Sequence, residues 1–169
     1  MAEINHDYMT RNFHLLRDDP ERYLALAEEL VRKNPDDAHA YFTRHQAFKK
    51  LGKYELSLAD LDTVLNMAPP AWHTYESRAN IFRNMGRYED ALDDLNRAEA
   101  VDPEAWAGGF GLLFRAECHA RLGHLEAALA DCARLPDEHW TPGLLGAPAG
   151  NKSQVTAKIH ELAAAARRA

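Results

Sequence analysis

The chain has 169 residues, 46% of them hydrophobic and 27% charged, which is typical of a soluble globular domain and excludes a disordered chain. Its formal net charge of -6 argues against broad affinity for nucleic acid, because binding phosphates requires an excess of clustered Lys and Arg. The polar start of the sequence and the lack of an apolar run of roughly 20 residues argue against a secretory signal and a membrane span. We therefore expect a cytoplasmic protein, and we also expect it to be monomeric.

Two helices are predicted at the start of the chain, over residues 4–17 and 19–34. We interpret residues 4–34 as a helical hairpin that has diverged from those that follow. One period before Gly52, where a glycine is expected, the chain has Asp18. The geometry of this first turn should therefore differ from that of the later turns.

The next two segments, residues 36–69 and 70–103, each predict two amphipathic helices joined by a tight turn at a glycine. Gly86 lies 34 residues after Gly52. The same offset relates Arg44 to Arg78, Phe48 to Phe82, Tyr54 to Tyr88, Leu58 to Leu92, Leu61 to Leu95 and Pro69 to Pro103. Each copy ends before a proline because the residue that precedes proline disfavours helix.

A helix-turn-helix unit with this period, with small residues at the helix crossing and a closing proline, resembles the tetratricopeptide repeat. The matching residues are Tyr41, Leu51, Gly52, Tyr54, Leu61 and Pro69 in one copy, and Tyr75, Ala79, Gly86, Tyr88, Ala91, Leu95, Ala98 and Pro103 in the next. The resemblance implies an all-α fold, a right-handed α-solenoid of such repeats, and a scaffold that binds other proteins.

The rest of the chain predicts a third copy over residues 104–135, a loop over 136–150 and a capping helix over 151–169. Gly123 lies 37 residues after Gly86, so about three residues are inserted in the third copy. Glycines that weaken a helix start occur at the insertion: Gly108, Gly109 and Gly111. We expect all the copies to form one domain over residues 1–169.

A partner-binding groove follows from the resemblance, which implies that the first helices of the repeats line a concave surface that binds peptides. If Tyr75, Ala79 and Phe82 face the core, the opposite side of that helix faces the groove. With the equivalent side one period earlier, the predicted groove residues are His39, Phe42, Thr43, Gln46, Lys49, His73, Glu76, Ser77, Asn80, Arg83 and Asn84. The first copy would add Asn5, Tyr8, Met9 and Asn12. These groups suit an extended peptide, and the alternative is that each is simply an exposed polar residue.

The charges of this predicted groove favour a partner segment that is acidic or neutral and extended. The row contains Lys49, Lys50, Arg83 and Arg121 against Glu76 and Glu117, a balance of +2 in a chain of net charge -6. Binding should weaken as salt rises. We expect Arg83→Glu to slow association with little change in the fold, because its side chain is placed on the exposed face.

The groove positions of the third copy are too apolar for open water. By helix phase they are Phe110, Leu113, Phe114 and Glu117. The following loop carries Trp140, Leu144 and Leu145, and we predict that it folds back over these positions and partly closes the groove.

No catalytic residue, metal site or cofactor is predicted. The nine histidines lack ligand spacing: His39 and His45 are six residues apart, His119 and His124 are five apart, and neither pair shares a helix face. No serine or cysteine is paired with a base by the pattern, and Cys118 and Cys132 are expected to be small buried hydrophobes without a disulfide.

Charged residues on the helices are interpreted structurally. Carboxylates of the second helices, such as Asp93 and Asp94, alternate with the apolar stripe and predict a solvated face. Arg44, Arg78 and Arg115 recur at one repeat position, where an arginine stem would lie along the seam between helices with its head on a carboxylate or carbonyl.

These observations predict a protein–protein interaction module of the adaptor, chaperone or inhibitor type, and not an enzyme. The alternative is a small enzyme with a site in the irregular third repeat and the 136–150 loop.

Overall fold

The computed structural model describes residues 4–108, 110–138, 140–141 and 150–168, and most of these residues are helical. Contacts divide the chain into two units, Met1–Pro70 and Ala71–Ala169. The division falls one residue after the predicted boundary between the 36–69 and 70–103 hairpins. That all the repeats form one domain stays a prediction.

The first unit contains five helices among its described residues. They are α1 (His6–Arg11), α2 (Leu15–Asp18), α3 (Pro20–Lys33), α4 (Ala38–Lys50) and α5 (Tyr54–Met67). A core of Met9, Tyr23, Leu30 and Phe48 joins α1, α3 and α4. The prediction of one continuous helix over residues 4–17 is wrong. Asn12 is the C-cap of α1, and its side-chain amide donates to the Tyr8 carbonyl at 2.8 Å.

The second unit contains the remaining helices and a short strand pair. Its elements are α6 (Trp72–Asn84), α7 (Tyr88–Val101), α8 (Pro103–Gly108), α9 (Gly111–Arg121), α10 (Leu125–Arg134), β1 (Trp140–Thr141), β2 (Gly150–Asn151) and α11 (Lys152–Ala166). The strands pair antiparallel and join the two ends of the predicted 136–150 loop. Asn151 and Gln154 form a capping box at the start of α11. Val155 and Ile159 then bury that helix in the core with α9 and α10.

Three glycines end the first helix of three hairpins, as the sequence predicts. Gly52, Gly86 and Gly123 have φ of 70°, 76° and 77°, in the left-handed region that residues with a Cβ rarely adopt. At the middle turn Gly86 N–H donates to the Arg83 carbonyl at 3.0 Å, and Arg87 N–H donates to the Phe82 carbonyl at 2.9 Å. This pair of bonds is the Schellman motif, which satisfies the last carbonyls of α6 and turns the chain into α7.

The third copy has the irregular start that its glycines predict. One short helix, α8, ends at Gly108, and α9 begins at Gly111. Trp106 is fully buried and its indole packs directly on Gly111. A Cβ at residue 111 would lie 2.2 Å from the indole nitrogen, so only glycine allows this contact.

An arginine–aspartate pair recurs inside three hairpins. In each pair, two guanidinium nitrogens of the arginine donate to the two carboxylate oxygens of an aspartate 16 residues later, at 2.6 to 2.9 Å. The pairs are Arg44 with Asp60, Arg78 with Asp94, and Arg115 with Asp131. The predicted role of the arginines at a helix seam is confirmed. The prediction of a solvated face is wrong for Asp94. Its side chain is buried and forms an ion pair with Arg78 of α6.

Candidate functional site

A cleft of about 200 Å³ opens on the first unit between α1 and α4. Four of the predicted groove residues line it from α4: His39, Phe42, Thr43 and Gln46. The opposite wall comes from α1 and the turn that follows it, and α3 supplies one aromatic side chain. These further lining residues are His6, Met9, Thr10, Phe13 and Tyr23. Of the first-copy positions predicted for the groove, Met9 lines the cleft and is itself almost fully buried.

The two walls are joined at one end of the cleft by Asp37, the N-cap of α4. Its Oδ1 accepts the backbone N–H of His39 at 2.9 Å, which starts the helix. Its Oδ2 lies 2.5 Å from Nε2 of His6 on α1. The His6 ring also contacts the His39 ring edge-on, with 4.2 Å between centroids. One carboxylate therefore holds α1 against the start of α4.

This junction changes the acidity of its members. Burial raises the pKa of Asp37, but the hydrogen bonds from His6 and from the His39 backbone outweigh burial, so the pKa lies below its ordinary value. Burial lowers the pKa of His39, the nearby His6 lowers it further, and Asp37 opposes both. The imidazole of His39 is accordingly harder to protonate than a free histidine.

The cleft offers mainly aromatic surface with a few polar groups. Phe13 is 52% exposed and meets Tyr23 edge-on, with 6.2 Å between centroids. Phe42 and Gln46 are half-buried. Thr43 is a correction, because it is buried and its hydroxyl donates to the His39 carbonyl at 2.9 Å rather than facing solvent. Lys49 is half-buried and Lys50 exposed at the end of the same helix.

The structure supports only part of the predicted surface on α6, in the second unit. His73 is exposed. Four residues are half-buried: Glu76, Ser77, Asn80 and Asn84. The Asn84 amide donates to the Asn80 side-chain oxygen at 3.1 Å. A role for these residues in binding stays a prediction.

The placement of Arg83 on an exposed face is wrong. Its side chain is 4% exposed and is ion-paired with Glu117 of α9, which is fully buried. Its guanidinium lies 3.9 Å from the centre of the Phe114 ring, and Arg121 also reaches Glu117, at 3.4 Å. Helix phase placed Arg83 opposite the core stripe correctly, but α9 covers that end of α6. The predicted groove charge of +2 is no longer supported, because Arg83 and Arg121 are both ion-paired with Glu117 within the second unit.

This burial changes the expected effect of Arg83→Glu. The new carboxylate would face Glu117 inside the protein, where two like charges are strongly unfavourable. The substitution should therefore destabilise the second unit rather than only slow association.

The predicted return of the loop over the third copy is wrong for Trp140, whose side chain is 66% exposed. Leu144 and Leu145 lie outside the described residues. Leu113 and Glu117 are buried within the second unit, while Phe110 is 41% exposed and stacks on Phe114 with 5.8 Å between centroids. The apolar character of these positions is thus largely explained by packing.

A serine and a histidine lie together in the first unit, a contact that the sequence did not indicate. Ser57 Oγ is 3.4 Å from His45 Nδ1, but its proton is directed to the His45 backbone carbonyl at 3.1 Å. Both residues are buried, and burial together with the charge of Lys49 lowers the pKa of His45 to about 3. This pair has the environment of a core contact and not of a nucleophile with its base.

The two cysteines are free and buried, as predicted. Burial raises the pKa of Cys118 to about 12 and that of Cys132 to about 11, so neither is a reactive thiolate near neutral pH. Within the described residues, no group of three or more His, Cys, Asp or Glu side chains is arranged to hold a metal ion. None of the described helices combines the length and the apolar character that crossing a membrane requires.

Comparison with known proteins identifies the repeat and the fold. Residues 73–104 match the tetratricopeptide repeat. A thermophilic TPR protein of Thermus thermophilus, TTC0263, is 22% identical, with a TM-score of 0.64 over 96% of this chain and 86% of that chain. MamA from Desulfovibrio magneticus RS-1 is 21% identical, with a TM-score of 0.66 over 79% of this chain and 75% of that chain.

A third solved structure is YrrB, a TPR protein with an unusual peptide-binding site. It is 19% identical, with a TM-score of 0.60 over 73% of this chain and 62% of that chain. At these identities the structures establish a shared fold. Comparison with curated protein sequences finds no match.

Proposed function

We propose that this chain, which is a tetratricopeptide repeat protein, binds an extended segment of a partner protein and holds one apolar side chain of that segment in the cleft between α1 and α4. Proteins with this fold are generally protein-interaction modules. YrrB, which shares the fold, carries a peptide-binding site. Transfer of that activity to this chain is part of the proposal.

The observation that carries the proposal is the composition of the cleft. Its walls combine aromatic side chains, among them the exposed Phe13 and the half-buried Phe42, with the amide of Gln46 and the imidazole of His39. Apolar walls with a few convergent polar groups are the usual form of a binding pocket. The aromatic groups would surround a side chain of the partner, and the polar groups would bond its backbone.

The partner segment is proposed to be neutral or acidic around this apolar anchor. Among the described residues, the nine that line the cleft include no Asp, Glu, Lys or Arg. Lys49 and Lys50 follow the cleft residues along α4, in a chain with a net charge of -6. An acidic residue near the anchor would therefore be attracted at this end of the helix and repelled over most of the remaining surface.

We propose further that the chain acts as an adaptor, a chaperone or an inhibitor. The monomeric state and the cytoplasmic location are also parts of this proposal. No specific observation favours the alternative of an enzyme centred on the third repeat. The two cysteines in that part of the chain are buried, and burial raises the pKa of both thiols.

The test is a selection of peptides from a random library on the full chain, followed by calorimetric titration of the selected peptides. Phe13 lines the cleft and is 52% exposed, whereas Leu56 lies on α5 and is 51% exposed. Phe13→Ser should lose most of the binding and Leu56→Ser should keep it, although both remove a similar exposed side chain. If no peptide is selected, or if both variants bind equally well, the proposal is wrong.

A further inference from the structure

Three of the residues that line the cleft are buried and form its inner end. They are Met9 of α1, Tyr23 of α3 and Thr43 of α4, and each is at most 5% exposed. The remaining lining residues are exposed or half-buried and surround the opening. A side chain that enters the cleft therefore passes between these outer residues and ends against the three buried ones.

Several polar groups of the cleft are already hydrogen-bonded within the protein. The Thr43 hydroxyl donates to the His39 carbonyl at 2.9 Å, and the Thr10 hydroxyl donates to the His6 carbonyl at 3.0 Å. Nε2 of His6 lies 2.5 Å from a carboxylate oxygen of Asp37. The hydrogens of the two threonine hydroxyls are therefore committed to the protein and are not available to a ligand.

The hydroxyl of Tyr23 differs from these groups. The residue is 2% exposed, and among the described residues no group is hydrogen-bonded to this hydroxyl. Its oxygen is also not one of the fully enclosed atoms that lack a partner, so it keeps contact with the cleft. A tyrosine hydroxyl that is largely buried usually has a hydrogen-bond partner. The partner of this hydroxyl must therefore come from within the cleft.

This hydroxyl can both donate and accept a hydrogen bond. Burial raises the pKa of Tyr23 above its ordinary value of 10.0, so the proton stays on the oxygen at neutral pH. A ligand hydroxyl, which also donates and accepts, matches it in either direction. An apolar group placed at the inner end would instead remove water from the Tyr23 hydroxyl and leave it unpaired, which is unfavourable.

The side chains around the cleft favour an aromatic occupant. The ring of Phe13 meets that of Tyr23 edge-on, with 6.2 Å between centroids, and Phe42 lines the cleft from α4. Aromatic rings in such contacts gain stability beyond the area that they bury, and the sulfur of Met9 is a further favourable neighbour for a ring. The volume of about 200 Å³ is below the range usual for small-molecule sites, so it suits a single side chain.

We propose that the anchor of the partner segment is a tyrosine, whose ring packs against Phe13 and Phe42 and whose hydroxyl bonds that of Tyr23. Naming the anchor deepens the proposed function and rests on it, but the preference of the cleft for a phenol can be measured without a partner. A tyrosine has the largely apolar body that the walls require and the polar tip that the inner end requires. Tyr23 is then the residue that determines specificity.

Calorimetric titration of two peptides on two variants of the full chain tests this assignment. A selected peptide with a tyrosine anchor should bind the unmodified chain about fivefold to tenfold more tightly than the same peptide with phenylalanine there, as one net hydrogen bond predicts. Tyr23→Phe should reduce that preference to less than about twofold. Tyr54→Phe makes the same change on α5, away from the cleft, and should keep the preference. Equal binding of both peptides, or an undiminished preference in Tyr23→Phe, would overturn the inference and leave the proposed function standing.

Urea denaturation gives a test that needs no ligand. Tyr23→Phe should unfold at the same urea concentration as the unmodified chain, because no described group loses a hydrogen bond when the oxygen is removed. A clear loss of stability would mean that the hydroxyl is already bonded within the protein, and the inference would fail.

Two small probes separate the inference from the proposed function. p-Cresol and toluene reproduce the side chains of tyrosine and phenylalanine, and the labelled methyl group of Met9 reports their binding by nuclear magnetic resonance because this residue lines the cleft. Met67 on α5 is the control signal. p-Cresol should shift the Met9 signal at a lower concentration than toluene, and Tyr23→Phe should remove this advantage. If no peptide is selected but this preference is found, the proposed function fails and the specificity of the cleft stands. If toluene acts at the same concentration as p-cresol, the inference is wrong.

Discussion

The recurrent arginine–aspartate pair of the second unit gives a sharp prediction about stability. Asp94 is 1% exposed and accepts both hydrogen bonds of Arg78 at 2.7 Å, with a further contact from Arg97 at 3.1 Å. Asp94→Asn removes the negative charge that faces the largely buried guanidinium of Arg78 and the guanidinium of Arg97. Breaking a buried pair in this way costs about 3 to 5 kcal/mol, and the lower figure applies here because the asparagine oxygen still accepts one bond.

The assay is urea denaturation of the full chain, with helix content measured by circular dichroism. Asp93→Asn is the matched control, because it makes the same chemical change at the neighbouring, exposed position. Its free energy of unfolding should stay within about 0.5 kcal/mol of the unmodified protein. Equal stability of Asp94→Asn and Asp93→Asn would refute the structural role assigned to the pair.

Two further predictions concern the turns and a buried histidine. Gly86→Ala should destabilise the chain by about 1 to 2 kcal/mol in the same assay, because φ is 76° there, whereas Gly108→Ala, at the last residue of α8 and without a close contact, should be neutral or stabilising. Equal effects of the two changes would contradict the turn geometry. His45 has a folded pKa of about 3 against an ordinary value of 6.5, so its contribution is complete above the ordinary value and is lost as the pH falls towards 3. The loss is at most about 5 kcal/mol, and a His45→Met variant should show a smaller difference in urea stability between about pH 7 and about pH 4 than the unmodified chain. An unchanged pH dependence in that variant would contradict the buried, neutral state of His45.

The repeat architecture could be predicted from the sequence because local signals coincide with a long-range period. The glycine at each turn is needed for its positive φ, and helix phase gives the core stripe, so α6 and α7 lie within the predicted 70–103 hairpin on either side of Gly86. The break after α1 was missed because its C-cap, Asn12, is a polar residue whose side-chain amide donates to the Tyr8 carbonyl. No apolar pattern records that ending.

The buried charges could not be placed from one helix at a time. The phase of Arg83 on α6 was assigned correctly, but only the position of α9 shows that this end of the helix is covered. For Asp94 a signal did exist. Asp60, Asp94 and Asp131 recur with the same offsets as Arg44, Arg78 and Arg115, so matching opposite charges between the two helices of each copy would have identified the pairs.

The candidate cleft was predicted on one side only. His39, Phe42 and Gln46 face it as helix phase indicates, because the structure leaves that part of α4 open. The other wall depends on the contact of His6 with Asp37, which are 31 residues apart in the sequence. A long-range contact between two polar residues in a diverged repeat leaves no periodic signal.

The central claim is that the cleft of the first unit holds an apolar side chain of a partner segment. The most direct measurement is a set of intermolecular nuclear Overhauser effects between a selected peptide and the isotope-labelled full chain. Contacts should connect the apolar anchor of the peptide with ring protons of Phe13, Phe42 and Tyr23, which line the cleft. A bound peptide whose contacts fall only on α5, around the exposed Leu56, or only on the second unit would contradict the claim.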